Sequence, residues 1–190
     1  MGSISRGLPL VVIVAAFAAV PAPAQPPGPH PDGSASGAAA SAQQRPDLHR
    51  WRLTRHGFGR LTVGLNRAQM ERRTGRKLRF SYNTGSCAIW DLRGARGISI
   101  MTTRGRLARV GIYRGTWRTV VGIQIGDSEA EVRELYPRLR TRPHPYDPDG
   151  RYLIVPGPNR RVVFETDGND EVTSFRGGRM PEIMYIEGCA

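Results

Sequence analysis

The sequence has two cysteines, four histidines and one lysine, Lys77, among 190 residues. The histidines stand far apart, at positions 30, 49, 56 and 144, which is not a metal-ligand spacing. The chain has no G-x-S-x-G elbow, phosphate-binding G-x-x-x-x-G-K loop, H-E-x-x-H pair or C-x-x-C pair. We therefore predict a protein with no catalytic residues, no metal and no cofactor.

Charge is almost absent from the first segment. Arg6 is followed by an uncharged run from Leu8 to Val20 and then by Ala22-Pro23-Ala24. This layout is typical of a secretory signal peptide, and the apolar run is too short for a stable transmembrane anchor. We predict a signal peptide over residues 1–24, cleavage after Ala24, and a periplasmic or secreted mature protein.

Residues 25–46 lack aromatic residues and lack Val, Ile, Leu and Phe. Such a segment buries too little apolar surface to offset its chain entropy. We predict a disordered Pro/Ala/Gly/Ser tether here, which leaves residues 47–190 as the folded part.

Two segments of the folded part match in their physical roles at a constant offset. Asn66 and Gln69 in the first copy, and Ser128 and Glu131 in the second, have the spacing of a capping box at a helix N-terminus. Gly75 in the first copy and Pro137 in the second are residues at which helices end.

A strand-like apolar pattern follows each predicted helix. We predict an α+β fold, a tandem repeat of two units (47–118 and 119–190), each with a short helix packed on a small antiparallel sheet. Hairpin turns are expected at Arg104-Gly105 and at residues 167–170. The predicted strands span 77–82, 87–92, 97–103, 107–113, 151–155, 161–166 and 171–176, with terminal strands at 119–125 and 182–186.

The two cysteines, Cys87 and Cys189, form an even pair in a chain that we expect to be exported. A disulfide that joins the chain end to the first unit is therefore the default prediction. A nucleophilic thiol is the competing interpretation, but no sequence feature places a histidine beside either cysteine.

The net charge of +12 is unevenly distributed. Residues 47–118 hold 17 Lys and Arg against three acids, whereas residues 119–190 hold nine Arg against twelve acids. Arginine pairs with carboxylate or phosphate through two parallel hydrogen bonds. The candidate contacts for an anionic partner, with three possible aromatic anchors, are Arg72, Arg73, Arg76, Lys77, Arg79, Trp90, Tyr113 and Trp117.

A solvated basic face in a genome that favours Arg codons would give the same composition, and the aromatic residues would then be ordinary core. The loop from His144 to Tyr152 offers a different function, a sugar- or metal-binding protein or a hydrolase, although its Pro, Asp and Gly residues also fit a plain turn. A third alternative is a structural component of the cell envelope with no soluble ligand.

The repeated unit resembles the β-lactamase-inhibitor-like fold and that of the related small outer-membrane assembly lipoproteins. The residues that carry the resemblance are Val63-Gly64-Leu65-Asn66 through Gly75 and Ile125-Gly126-Asp127-Ser128 through Pro137. The resemblance implies a non-enzymatic binder that lays a sheet face against another protein. The chain lacks the lipidation cysteine of the lipoproteins and has a basic first unit, so inhibition of a β-lactamase does not follow.

These observations together predict an exported, monomeric, non-enzymatic binding module. Its Arg-rich first unit is expected to engage an anionic protein or an anionic component of the envelope. A specific nucleic-acid partner is not expected after export.

Overall fold

A computed structural model describes residues 45–189. The predicted signal peptide, and the predicted tether apart from residues 45 and 46, lie outside the described residues. In the described part, no helix is long and apolar enough to cross a membrane.

Residues 45–189 form mainly β-structure, with two short α-helices. The helices are α1 (Arg67–Thr74) and α2 (Glu129–Leu135), and 3-10 turns cover Leu48–Arg50 and Glu182–Met184. The strands are β1 (Arg52–Thr54), β2 (Gly57–Phe58), β3 (Leu61–Thr62), β4 (Leu78–Thr84), β5 (Cys87–Leu92), β6 (Ile98–Thr103), β7 (Arg106–Ile112), β8 (Arg118–Thr119), β9 (Arg140–Pro143), β10 (Arg151–Val155), β11 (Arg160–Thr166) and β12 (Val172–Arg179).

Eight strands form one antiparallel sheet in the order β4-β5-β6-β7-β12-β11-β10-β9. The other four form a small sheet in the order β3-β2-β1-β8, in which β1 and β8 run parallel. Strands β4 to β7 follow α1 and strands β9 to β12 follow α2, so the pairing of β7 with β12 joins the two halves of the chain. In that pairing Phe175 lies opposite Ile112, and Gly178 lies opposite Arg109.

The predicted α+β tandem repeat of helix-on-sheet units is wrong. The chain is mostly β, with sheets of four and eight strands and only two α-helices in the described part. Each helix has about two turns and is too short to cover four strands. The small sheet covers the part of the large sheet's face that the helices leave open. The strands of both halves of the chain belong to this one large sheet.

Both predicted capping boxes are confirmed. The Asn66 side chain accepts the Gln69 N–H, and the Gln69 side chain accepts the Asn66 N–H, each at 2.9 Å. Ser128 and Glu131 make the same reciprocal pair at 3.2 and 2.8 Å. Gly75 ends α1 in the left-handed conformation, with φ 63°.

The two predicted terminal strands are wrong. In the range 119–125 only the end of β8 forms, because the chain turns at Gly122, whose N–H donates to the Thr119 carbonyl at 3.1 Å. The second begins with a 3-10 turn after Pro181, in which the Met184 N–H donates to the Pro181 carbonyl at 2.9 Å. Four strands were not predicted: β1 to β3, which have two or three residues each, and β9, whose residues are Arg-Thr-Arg-Pro.

One face of the large sheet packs against the small sheet and the helices. This core includes Phe58 of the small sheet, Phe164 and Phe175 of the large sheet, and Met70 of α1, all fully buried. Gly177 allows the close contact between the sheets, since a Cβ there would lie 2.0 Å from the Thr54 carbonyl oxygen. Aromatic and aliphatic burial between the two layers is therefore the main apolar contribution to stability.

Residues 180–189, which we call the C-terminal strap, cover part of the opposite face of the large sheet. Ile183 packs there on Tyr152, Ile154 and Val163. The predicted disulfide is confirmed: Cys189 of the strap is bonded to Cys87 of β5, with a Cα–Cα distance of 5.4 Å.

Buried charges lie beneath the strap. The guanidinium of Arg176 pairs with Glu165 and donates from Nε to the Ile183 carbonyl at 2.9 Å. Arg109 donates to the Tyr185 carbonyl at 2.6 Å, and burial beside Arg176 lowers its pKa to about 10. Burial alone would raise the pKa of Glu165, but the charge and hydrogen bond of Arg176 outweigh burial and lower it. Arginine contacts and a covalent bond thus hold the strap.

Removal of the disulfide should destabilise the fold. The cysteines are 102 residues apart, and the chain-entropy model assigns about 4–5 kcal/mol to a loop of that order. We expect the Cys87→Ser/Cys189→Ser double variant to lose a free energy of unfolding of that order, measured by urea denaturation against the oxidised protein. An unchanged free energy of unfolding would show that the strap adds no constraint.

Glu165 should make the fold acid-sensitive. Because its pKa is lower in the folded state, its ionised form stabilises the protein above the unfolded value of about 4.3, and that contribution is lost as pH falls through the folded value. We expect Glu165→Gln to lose about 3–5 kcal/mol at pH 7, since Arg176 is then buried without its partner, and to lose less further stability on acidification. The control is Glu134→Gln, at an exposed position outside the ion pairs of residues 45–189. Equal stability of Glu165→Gln and wild type from pH 7 to pH 3 would contradict this interpretation.

Candidate anion-binding surface

A cationic depression of about 710 Å³ lies where α1 ends and the chain turns into β4. We call it the α1 basin. Five cations and one carboxylate line it, since its residues are Arg45, Ala68, Glu71, Arg72, Gly75, Arg76, Lys77, Arg93 and Gly94.

Hydrogen bonds from side chains to backbone carbonyls order the chain at the α1 basin. The buried Thr74 hydroxyl donates to the Met70 carbonyl at 2.8 Å, which closes the last turn of α1. Arg76 donates from Nη1 to the carbonyls of Pro46 and Thr74, both at 3.2 Å. Cations at this position also interact favourably with the C-terminal end of the helix.

Glu71, the carboxylate of the basin, is fully occupied by local contacts. It accepts the Leu78 N–H and the Lys77 ammonium at 3.1 Å each, and the Arg67 Nε–H at 3.2 Å. Burial alone would raise the pKa of Glu71, but these three donors lower it below the usual range. In the described part of the chain, the side chains of Arg72 and Arg93 have no hydrogen bond or ion pair. The basin therefore presents free guanidinium groups to a ligand.

A second depression, of about 390 Å³, adjoins the first and shares Arg93 and Gly94 with it. We call it the β5–β6 basin. Arg79 pairs there with Asp91 at 2.6 Å, and Tyr113 is 48% exposed. The two basins together form a continuous cationic surface, which we call the α1 surface.

The α1 surface brings together five of the eight predicted partner contacts: Arg72, Arg76, Lys77, Arg79 and Tyr113. The other three lie elsewhere. Arg73 donates to the Arg60 carbonyl and to Thr62 at 3.2 Å each, away from both basins.

The two tryptophans among the predicted contacts, Trp90 and Trp117, pack against other side chains of the protein. Trp117 is 7% exposed, makes an edge-on contact with Phe58 and donates to the Arg96 carbonyl at 3.0 Å. Trp90 is half-buried, with the Arg67 guanidinium 4.9 Å above its ring. We therefore leave Trp90 and Trp117 out of the candidate surface.

Sequence reasoning missed Arg93, Arg96 and Arg114, which complete the β5–β6 basin. They lie in the Gly-rich loops that follow β5 and β7. The loops touch at Gly97, where a Cβ would lie 2.1 Å from the Arg114 carbonyl oxygen. The signal was the repeated Arg-Gly pairing in Arg93-Gly94-Ala95-Arg96-Gly97 and Arg114-Gly115.

The alternative site, the loop from His144 to Tyr152, is occupied by its own turn contacts. His144 Nδ1 accepts the N–H groups of Tyr146 and Asp147, at 3.3 and 3.0 Å, and Asp147 accepts the Asp149 N–H at 3.1 Å. Within residues 45–189, no group of three or more His, Cys, Asp or Glu side chains could hold a metal ion. These contacts favour a structural role for the loop.

No protein-family model matches the sequence, and comparison with curated proteins finds no significant match. Among solved structures, the fold is similar to the uncharacterized protein yfeY from Escherichia coli, at 11% identity and TM-score 0.50, over 67% of this chain and 99% of that one. That likeness concerns the fold alone.

Two further structures match at a TM-score of 0.46. An extracellular protein containing a SCP domain from Bacillus anthracis is 11% identical over 62% of this chain, and a cysteine-rich secretory protein from Staphylococcus aureus is 14% identical over 66%. The matched regions span 44% and 47% of those longer proteins.

Proposed function

We propose that this protein is an exported, non-enzymatic binding module that holds an anionic partner, a protein or an envelope component, on the α1 surface. The observation that carries the proposal is the convergence of Arg72, Arg76, Lys77 and Arg93 around a carboxylate that is already neutralised by neighbours. An arriving carboxylate or phosphate would meet guanidinium groups in need of counter-charges.

The distribution of ion pairs supports the proposal. Residues 47–118 contain 17 Lys and Arg, of which Arg67, Lys77 and Arg79 form ion pairs within the described part. The remaining cations of this half repel one another and raise the local concentration of anions. A bound anionic partner relieves that repulsion.

The disulfide supports export, because such bonds persist in oxidising compartments and are rare in the cytosol. We place the mature N-terminus after Ala24, and the module in the periplasm or outside the cell, as a monomer. The sheet faces are less suited than the α1 surface to holding a partner. One is covered by the small sheet and helices, and the strap covers part of the other.

Two soluble polymers test the proposal: poly-L-glutamate, which offers carboxylates, and polyphosphate, which offers phosphates. The site variant is Arg72→Gln/Lys77→Gln/Arg93→Gln, which avoids Arg76 because that side chain holds the backbone of residues 46 and 74. The matched control is Arg50→Gln/Arg60→Gln/Arg104→Gln, which removes the same charge at exposed positions outside both basins.

We expect the site variant to bind at least one polymer about tenfold more weakly, since three exposed ionic contacts at about 0.5 kcal/mol each amount to one order of magnitude. The control should stay within about twofold, and added salt should weaken binding by wild type, because it screens exposed charges. Dissociation constants from biolayer interferometry measure both effects. Equal weakening in the two variants would show that binding depends on the net charge of the protein and not on the α1 surface, which would contradict the proposal. The absence of binding to both polymers would contradict it as well.

A further inference from the structure

A third cationic depression, of about 680 Å³, lies at the β9 edge of the large sheet, beside the end of α2. We call it the α2 basin. It shares no lining residue with the α1 basin or the β5–β6 basin. Its cations are Arg55, Arg138, Arg140, Arg142 and Arg161, and no carboxylate is among its described lining residues.

The basin stands out because its half of the chain is not basic. Residues 119–190 hold nine Arg against twelve acids. The four arginines of that half that form ion pairs within the described residues lie outside the basin: Arg133, Arg151, Arg176 and Arg179. No cation of the basin forms an ion pair within the described residues, so composition alone does not explain the cluster.

The backbone fixes the positions of these cations. Arg140 and Arg142 are alternate residues of β9, opposite Ile154 and Tyr152, so both project from the same face of the sheet. The Nε–H of Arg161 is buried and has no hydrogen-bond partner in the described part. An unmet buried donor costs free energy, and an anion in the basin could satisfy it.

An apolar wall completes the basin. Leu135, at the end of α2, is 44% exposed, and Tyr136 packs against Phe164 with ring centroids 5.6 Å apart. Leu139 and Val155 are partly buried against the same core. These apolar side chains belong to the face of the large sheet that packs on the small sheet, whereas the two arginines of β9 belong to the opposite face, so hydrocarbon and cations line the basin from the two sides of the end of β9 and β10. A site with both kinds of lining suits an amphiphilic anion.

The turn that follows β10 and borders the basin has a constrained backbone and lies close to several arginines. At Gly157, between two prolines, a Cβ would lie 2.3 Å from the Arg160 carbonyl oxygen, so this turn accommodates no side chain. Nearby His56 has a lowered pKa because of burial and repulsion from Arg160 and Arg55. The backbone on this side of the basin is thus set before any ligand arrives.

We infer that the α2 basin is a second, separate binding site, which takes a small amphiphilic phosphate. Arg140, Arg142 and Arg161 hold the phosphate, and the apolar wall receives the hydrocarbon. Phosphate is favoured over a single carboxylate because it carries up to two charges and three oxygens, which match several guanidinium groups.

Isothermal titration with three probes tests the chemistry. We use dihexanoyl phosphatidic acid, inorganic phosphate, and dihexanoyl phosphatidylcholine, whose headgroup has no net charge. Phosphatidic acid should bind at least tenfold more tightly than either of the other two. If inorganic phosphate binds as tightly as phosphatidic acid, the apolar wall contributes nothing to binding. If phosphatidylcholine binds as tightly as phosphatidic acid, the site does not require a negative charge. Either result overturns the proposal.

Variants test the location. Arg138→Gln/Arg140→Gln/Arg142→Gln should weaken phosphatidic acid binding about tenfold, and Leu135→Gln should weaken it several-fold without a change in charge. The matched control is Arg50→Gln/Arg60→Gln/Arg104→Gln, which removes the same charge at exposed positions outside all three basins and should stay within about twofold. Thermal unfolding confirms that each variant is folded.

Equal weakening in the two triple variants would overturn the site, because it would show an effect of net charge only. The outcome is independent of the proposed function. If the α1 surface does not bind the polymers, the proposal for the α2 basin is unaffected. If the α2 basin does not bind phosphatidic acid, the proposal for the α1 surface is unaffected.

Discussion

The pairing of β7 with β12 is the interaction on which the rest of the structure depends. It joins four strands from each half of the chain into one sheet, with Phe175 beside Ile112 on the buried face. Without it, β7 and β12 would each expose an unpaired strand edge. The small sheet spans this junction, because Gly177 of β12 lets β1 approach to backbone contact.

The shared sheet also separates the charges. Acids and arginines pair beneath the strap, where Glu165 meets Arg176, and beside α2, where Glu129 meets Arg133 and Arg151. The unpaired arginines collect where the strands end, at the α1 surface on one side and at the α2 basin on the other. A rigid β-scaffold with loops that carry cations is therefore the physical basis of both proposed sites.

Local features of the fold were predictable from the sequence. The caps at Asn66 and Ser128 and the bond between Cys87 and Cys189 follow from residue types and compartment. The joined sheet was not predictable, because strand pairing between distant residues leaves no local pattern, and strands of two or three residues have no readable period. Five of the eight predicted contacts share one surface, but the α2 basin escaped notice because Arg55 and Arg161 are remote in sequence from residues 138–142.

Native-state hydrogen exchange on the oxidised protein tests the joined sheet most directly. If β7 and β12 hold one cooperative unit together, the slowest amides of β5 to β7 and of β10 to β12 should exchange with the same opening free energy, equal to that of global unfolding. The account is contradicted if one set stays protected at a denaturant concentration at which the other has already exchanged, because the two halves would then fold separately.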